Sequence, residues 1–184
     1  MSNRRRALIG ENNKIEPLYI YAEGENGLRN GTIDNSKHTS GENPRAYKFM
    51  PGSIEIIVSV GGDEKDGYIC ITGVDFSKYT TLNIDCQSGR AIKNFGPTYG
   101  SHMIGYSTGP YRLYPDRDHY TEYVYTCRDT TRNIYTFNIS NVVGDQVAIQ
   151  LINEYGPHNG QADYSDKSYG YPGEGLLIYN IWLA

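Results

Sequence analysis

Hydrophobic and polar residues alternate along most of this chain, most regularly from Thr81 to Ser88. There Leu82, Ile84, Cys86 and Ser88 fall on one side of an extended backbone, with Thr81, Asn83, Asp85 and Gln87 on the other. A period of two sustained over a stretch of this length predicts a strand with one face in a core and one face wet. Just ahead, Asp75, Ser77 and Lys78 form a polar turn around Val74, Phe76 and Tyr79. That pattern predicts a chain that drops an aromatic into the end of a core before it enters the strand.

The same period recurs on both sides. LYIYAE at 18–23 alternates Leu18, Ile20 and Ala22 with Tyr19 and Tyr21, and SIEIIVSV at 53–60 places Ile54, Ile56, Val58 and Val60 on one face. GGDEKDG then leads to YICIT at 68–72, a pair that predicts a hairpin with a seven-residue connection. EYVYTC (122–127) and NIYTFNIS (133–140) flank the polar turn RDTTR and predict a second hairpin. QVAIQLIN shares Val147, Ile149 and Leu151 on a face, and LLIYNIWLA closes the chain apolar on both faces, as a central strand is. Short strands fit at 32–33 and 102–107.

Between these runs lie long polar stretches. EGENGLRNGTIDNSKHTSGENPR follows the first strand, and EYGPHNGQADYSDKSYGYPGE occupies 154–174. Residues 89–121 are broken by Gly96, Pro97, Gly100, Gly109, Pro110 and Pro115. Loops this long are uncommon without a role, which makes them candidate contact surfaces. The count is about nine strands, with no helix, internal repeat or linker. The expectation is an all-β, two-sheet sandwich over residues 17–184, preceded by an extended arm at 1–16.

Composition narrows the class. The 184 residues suit one domain, and a chain above about 150 residues hides roughly two-thirds of its unfolded surface without staples. Tyr (18) and Gly (21) are abundant, which favours strands and turns over helices. The net charge of −4 lacks the basic surplus of a nucleic-acid binder. Cys70, Cys86 and Cys127 are odd in number and each sits in an apolar run, so buried thiols are expected rather than a disulfide framework. MSNRRRALIGENNK carries the charges of a secretion signal without its apolar core, and no run approaches the roughly 20 apolar residues of a span. Folding in a cytoplasm, with no membrane insertion, is the expectation.

Three segments carry a resemblance. VDFSKYTTLNID resembles the strand lead-in of jelly-roll domains similar to carbohydrate-binding modules. TFNISNVVGDQVAIQL resembles their strand–turn–strand pair, and IYNIWL their last strand. An Arg-rich start (RRRALIG) before LYIYAEG, with a closing IWL, is also similar to small structural proteins from phages and prophages of gut Firmicutes. The resemblance covers roughly residues 15–184. It implies a jelly-roll β-sandwich and a non-enzymatic virion structural protein, a head decoration or fibre or a tail-associated protein, folded in the host cytoplasm and homo-oligomeric. The arm would then anchor to other virion proteins through Arg4, Arg5, Arg6, Leu8 and Ile9, the arginines meeting acidic or main-chain acceptors.

Candidate chemistry is mostly aromatic. Tyr99, Tyr106, Tyr111 and Tyr114 fall in one irregular segment, and Tyr155, Tyr164, Tyr169 and Tyr171 in another. Sugar rings stack on aromatic faces and tyrosine adds a hydroxyl, so Tyr99, Tyr106, Tyr111, Tyr114, Tyr164, Tyr169 and Tyr171 are candidate contacts to a host surface polysaccharide. On this alternative the chain is a carbohydrate-binding module. The same tyrosines also suit packing of loops or contact with protein. Asp116 and Asp118 in YPDRDHY, like Asp163 and Asp166, offer oxygens for a structural Ca²⁺, but calcium takes six to eight and no EF-hand spacing is present. No other cofactor is expected. Asp63, Glu64 and Asp66 sit in a turn, where Asp is favoured for bonding its own backbone. His38, His102, His119 and His158 lack zinc spacing. A glycosidase needs two carboxylates facing each other across a cleft, whereas the acids here cluster in turns. No enzyme is expected.

Overall fold

The computed structural model describes residues 15–35, 47–56, 66–88, 102–109, 119–125, 130–154 and 176–184. Among them run eleven strands: β1 (Leu18–Tyr21), β2 (Thr32–Ile33), β3 (Tyr47–Met50), β4 (Ser53–Ile56), β5 (Asp66–Thr72), β6 (Thr81–Ser88), β7 (His102–Thr108), β8 (Glu122–Tyr125), β9 (Asn133–Asn138), β10 (Val147–Glu154) and β11 (Leu176–Leu183). Sheet A has the order β3-β4-β11-β6-β9, with β1 also paired to β11, and sheet B the order β2-β5-β10-β7-β8. All pairings are antiparallel.

The pairing is nested. β4 pairs with β11, β5 with β10, β6 with β9 and β7 with β8. A long antiparallel ribbon rolled into two facing sheets gives this order, which is that of a jelly roll. The all-β sandwich expectation holds, with eleven strands among the described residues rather than about nine. The addition is β3, whose four residues are too short to show a period and of which Phe49 and Met50 are partly buried.

Both expected hairpins are corrected. β4 lies in sheet A and β5 in sheet B, and β8 lies in sheet B and β9 in sheet A. A polar turn between two alternating strands specifies that the chain reverses, but not whether it stays in its sheet. Crossing to the opposite sheet lets the two apolar faces cover each other, which a flat hairpin cannot do.

The core lies between the inner faces. Leu82, Ile84 and Cys86 of β6 and Ile178 and Ile181 of β11 meet Ile69, Ile71, Ile104, Ile149 and Leu151 from sheet B. A fully buried Ile or Leu contributes about 1.5–3 kcal/mol. Val74 and Phe76 drop into the end of this core as expected, and the Asp75 carboxylate accepts the Ser77 N–H at 2.9 Å to close the turn. Cys70 and Cys86 are buried thiols.

A bulge gives β11 its shape. Opposite β6, its register shifts between Ile178 and Asn180. The extra residue lets Ile178 and Ile181, three apart, both point inward, and leaves Tyr179 and Asn180 partly buried.

Candidate functional site

Polar groups gather at two places. The first is the outer face of sheet A, around Arg132 at the start of β9. Its Nε and Nη2 donate to the two Asp85 oxygens at 2.8 and 2.6 Å, while Nη1 and Nη2 donate to Glu23 at 3.3 and 2.8 Å. The guanidinium carbon lies 3.8 Å from the centre of the Tyr179 ring. Asn180 donates to Asp85 Oδ2 at 2.8 Å and accepts the Glu23 N–H at 3.1 Å. The bulge therefore supplies both the ring under the guanidinium and the amide beside it.

Burial alone would push the Asp85 carboxyl up. Hydrogen bonds from Arg132 and Asn180, with the Arg132 charge, outweigh burial and hold it below the usual carboxylate range. The same bonds, from Asp85 first and then Glu23, raise Arg132 further above its ordinary value. Both groups stay ionised and mutually committed, which suits a structural clamp and not proton transfer. Beside the clamp, one row of residues crosses the face: Tyr19 opposite Trp182, Trp182 opposite Asn83, and Asn83 opposite Thr136. The two rings stack at 6.1 Å and 23°, and Thr136 donates to Asn83 at 2.8 Å.

The second place is a cleft of about 670 Å³, formed where β7 ends and the chain turns from β9 into β10. Tyr106, Thr108, Gly109 and Thr121 line one wall, and Asn138 with residues 141–147 the other. Ligand pockets commonly span about 300–1,000 Å³. The walls are cross-tied. Gly109 N–H donates to Gln146 O at 3.3 Å, Thr121 N–H to Tyr106 O at 2.8 Å, and Phe76 N–H to Gly144 O at 3.2 Å. The hydroxyls of Thr108 and Thr121 are 3.0 Å apart. Gly144 turns the chain at φ +81°, a conformation that L side chains adopt rarely.

Tyr106 is the one candidate tyrosine among the described residues, and its expected role is corrected. It is 4 % exposed, tilted against Phe76 at 6.4 Å and edge-on to Phe137 at 6.2 Å. The core occupies its ring, which leaves no face on which a sugar could stack. Its hydroxyl lies 3.5 Å from Asn138 O at the cleft floor, and burial raises its pKa, so it stays protonated.

Tyr99, Tyr111, Tyr114, Tyr155, Tyr164, Tyr169 and Tyr171 lie outside the described residues, as do Arg4, Arg5, Arg6, Leu8 and Ile9 of the arm, Asp116, Asp118, Asp163, Asp166 and Cys127. The flanking strands place the roots of their segments. Ser88 is opposite Leu176, and His102 is opposite Asn153, so the connections 89–101 and 155–175 both join the two sheets from neighbouring roots. Segment 110–118 instead starts after Gly109, a cleft residue.

Among the described residues no group of three or more His, Cys, Asp or Glu could hold a metal ion, and no helix is long and apolar enough to cross a membrane. No protein-family model matches the chain, and neither the curated proteins nor the solved structures give a match.

Proposed function

We propose that the chain is a non-enzymatic virion structural protein of a bacteriophage or prophage. Its jelly-roll body is displayed on the particle, as a head decoration or fibre or near the tail, and contacts host glycans. The arm, with Arg4, Arg5, Arg6, Leu8 and Ile9, attaches it to other virion proteins, and repetition in a symmetric homo-oligomer adds avidity.

One observation carries the reading. The segments that carry the two resemblances supply neighbouring strands: LYIYAEG, similar to the phage proteins, gives β1, and of those similar to carbohydrate-binding modules IYNIWL lies in β11, the end of VDFSKYTTLNID opens β6, and TFNISNVVGDQVAIQL runs from β9 of the same sheet into β10 of the other. The arm leads directly into β1, whose Leu18 is opposite Leu183 of central β11. A partner that grips the arm would thus hold the body by main-chain bonds to its central strand. The non-enzymatic part rests on the carboxylates. Among the described residues Asp145 is the single acid lining the cleft, and Asp85 and Glu23 are committed to Arg132, so neither place offers there the facing pair a glycosidase uses.

The test is deletion of residues 2–14 followed by particle purification and immunoblotting. The truncated protein should fold yet be lost from particles; unchanged incorporation rejects anchoring by the arm. The second reading, a carbohydrate-binding module, draws on the amide and hydroxyl lining of the cleft. It predicts that the truncated body alone binds on a polysaccharide array.

A further inference from the structure

The cleft beneath the β9–β10 turn is preformed, since main-chain bonds tie its rim to β7 and to the segment before β6. It is also chemically specific. Thr108, Thr121, Asn138, Asn141 and Gln146 present hydroxyls and amides, groups that both donate and accept hydrogen bonds. Asn141, Asp145 and Gln146 make no side-chain hydrogen bond among the described residues, so their capacity faces solvent. Among the described residues no Lys, Arg or His lines the walls, and the one charge is the carboxylate of Asp145. An anionic ligand would find no counter-charge there and would meet repulsion.

Beside these polar groups lies the exposed aliphatic side chain of Val143, with Val142 partly buried next to it and Val147 buried in the core beneath. Val143 is 83 % exposed on the turn, where it adds little to the core. Hydroxyl-matching side chains next to a bare aliphatic surface suit a ligand with hydroxyls on its edge and C–H groups on its face.

We propose that this cleft binds one neutral pyranose unit, either a free sugar or a residue of a host polysaccharide. Asn141 and Gln146 bond its hydroxyls, Val143 covers its C–H face, and Asp145 excludes uronic acids. The inference rests on the glycan-contacting part of the function proposed above, but moves it from the tyrosine-rich segments to a cleft that, among the described residues, no aromatic ring face lines.

The experiment is a two-dimensional ¹H–¹⁵N titration of the full chain. The probes are glucose, galactose, rhamnose and N-acetylglucosamine, with glucuronic acid as the anionic control and a neutral polysaccharide as the second source. At least one neutral sugar should shift amides at 108–109, 121 and 138–147, saturating in the millimolar range expected of a ligand this small. Gln146→Ala and Asn141→Ala should each weaken binding by about fivefold, the worth of one neutral hydrogen bond, with amide dispersion elsewhere unchanged. Val143→Asp should abolish it, and Asp145→Asn should admit glucuronic acid. If the polysaccharide binds and no free sugar does, the ligand is an in-chain residue and the cleft assignment still stands on the same shifted amides. Shifts that map elsewhere and survive Gln146→Ala overturn the cleft while leaving glycan contact intact. No shift with any probe overturns both, and the arm-deletion test still reports on attachment.

Discussion

On the outer face of sheet B, Tyr68, Cys70, Met103, Ser107 and Gln150 are at most 2 % exposed, and exposure returns at edge-strand Tyr123; on the outer face of sheet A, Glu55, Asn83 and Asp85 are buried, but Ile134 is 59 % and Tyr19 36 % exposed. The middle strands of sheet B are therefore covered on both sides. Their outer polar groups find partners inside the protein: Gln150 donates to Ser107 at 2.7 Å, and the Tyr68 hydroxyl to Asn35 O at 2.8 Å, while burial pushes Tyr68 up to about 12. Sheet A meets water at its edge strands β1 and β9, and its outer face is organised by the Arg132 clamp. One outer face is constrained by volume, the other by charge.

Several substitutions would sharpen or break this contrast. The largest effect is expected at Gly105, on the covered face of β7, where an added Cβ would press on Glu122 O and come within 2.8 Å of Tyr123 Cα and 2.9 Å of the Tyr120 ring. Most of that obstacle is backbone, so Gly105→Val should cost more than about 3 kcal/mol or prevent folding. Wild-type stability in urea would mean that the face is not closed. Arg132→Ala should come next, at about 2 kcal/mol, because it strands the mostly buried Asp85 carboxylate while Arg132 itself is partly solvated. A loss no larger than that of an exposed surface pair would remove the clamp from the account.

The pH response belongs to the charged face. Asp85 is held below its ordinary value in the fold, so its contribution is complete above the unfolded carboxylate range, roughly pH 4, and is lost as pH falls through the lower folded value. Thermal melts of wild type and Arg132→Ala should therefore converge as pH drops below that range; a constant gap would assign the stability to packing. The smallest effect is expected from Ile134→Thr on the open face, within about 0.5 kcal/mol. A much larger loss would show that something covers Ile134.

Much of this fold was legible in the sequence, because alternation is local. The eight-residue run of β6, the closing β11 and even the two-residue β2 at Thr32–Ile33 were predicted from period and turn chemistry. Sheet membership was not legible. The connections after β4 and β8 read as hairpin turns, and only burial of one apolar face against the other decides that they cross. Tyr106 misled for a related reason. The sequence places it in a short strand within an otherwise irregular segment, but its neighbours in space, Phe76 and Phe137, come from other elements. The clamp gave no local signal either, since Arg132 reaches back 47 residues to Asp85 and 109 to Glu23. Asp85 on the wet face of an alternating strand was the one hint, and it is equally what a solvated strand shows. The cleft joins the β9–β10 turn to the far side of β7, a proximity created by the roll itself.

The nested pairing also fixes an order in time. Sheet A is assembled around β11, which pairs with β1, β4 and β6, yet all three are synthesised before it. Until β11 arrives, their apolar faces and pairing edges have no centre to join, and of the four nested pairs the innermost, β7 with β8, closes over the shortest span. Contacts between distant segments make such topologies slow to form and leave unpaired strands exposed to other chains meanwhile. The chain is most open to mispairing with other copies in the interval before β11 is in place.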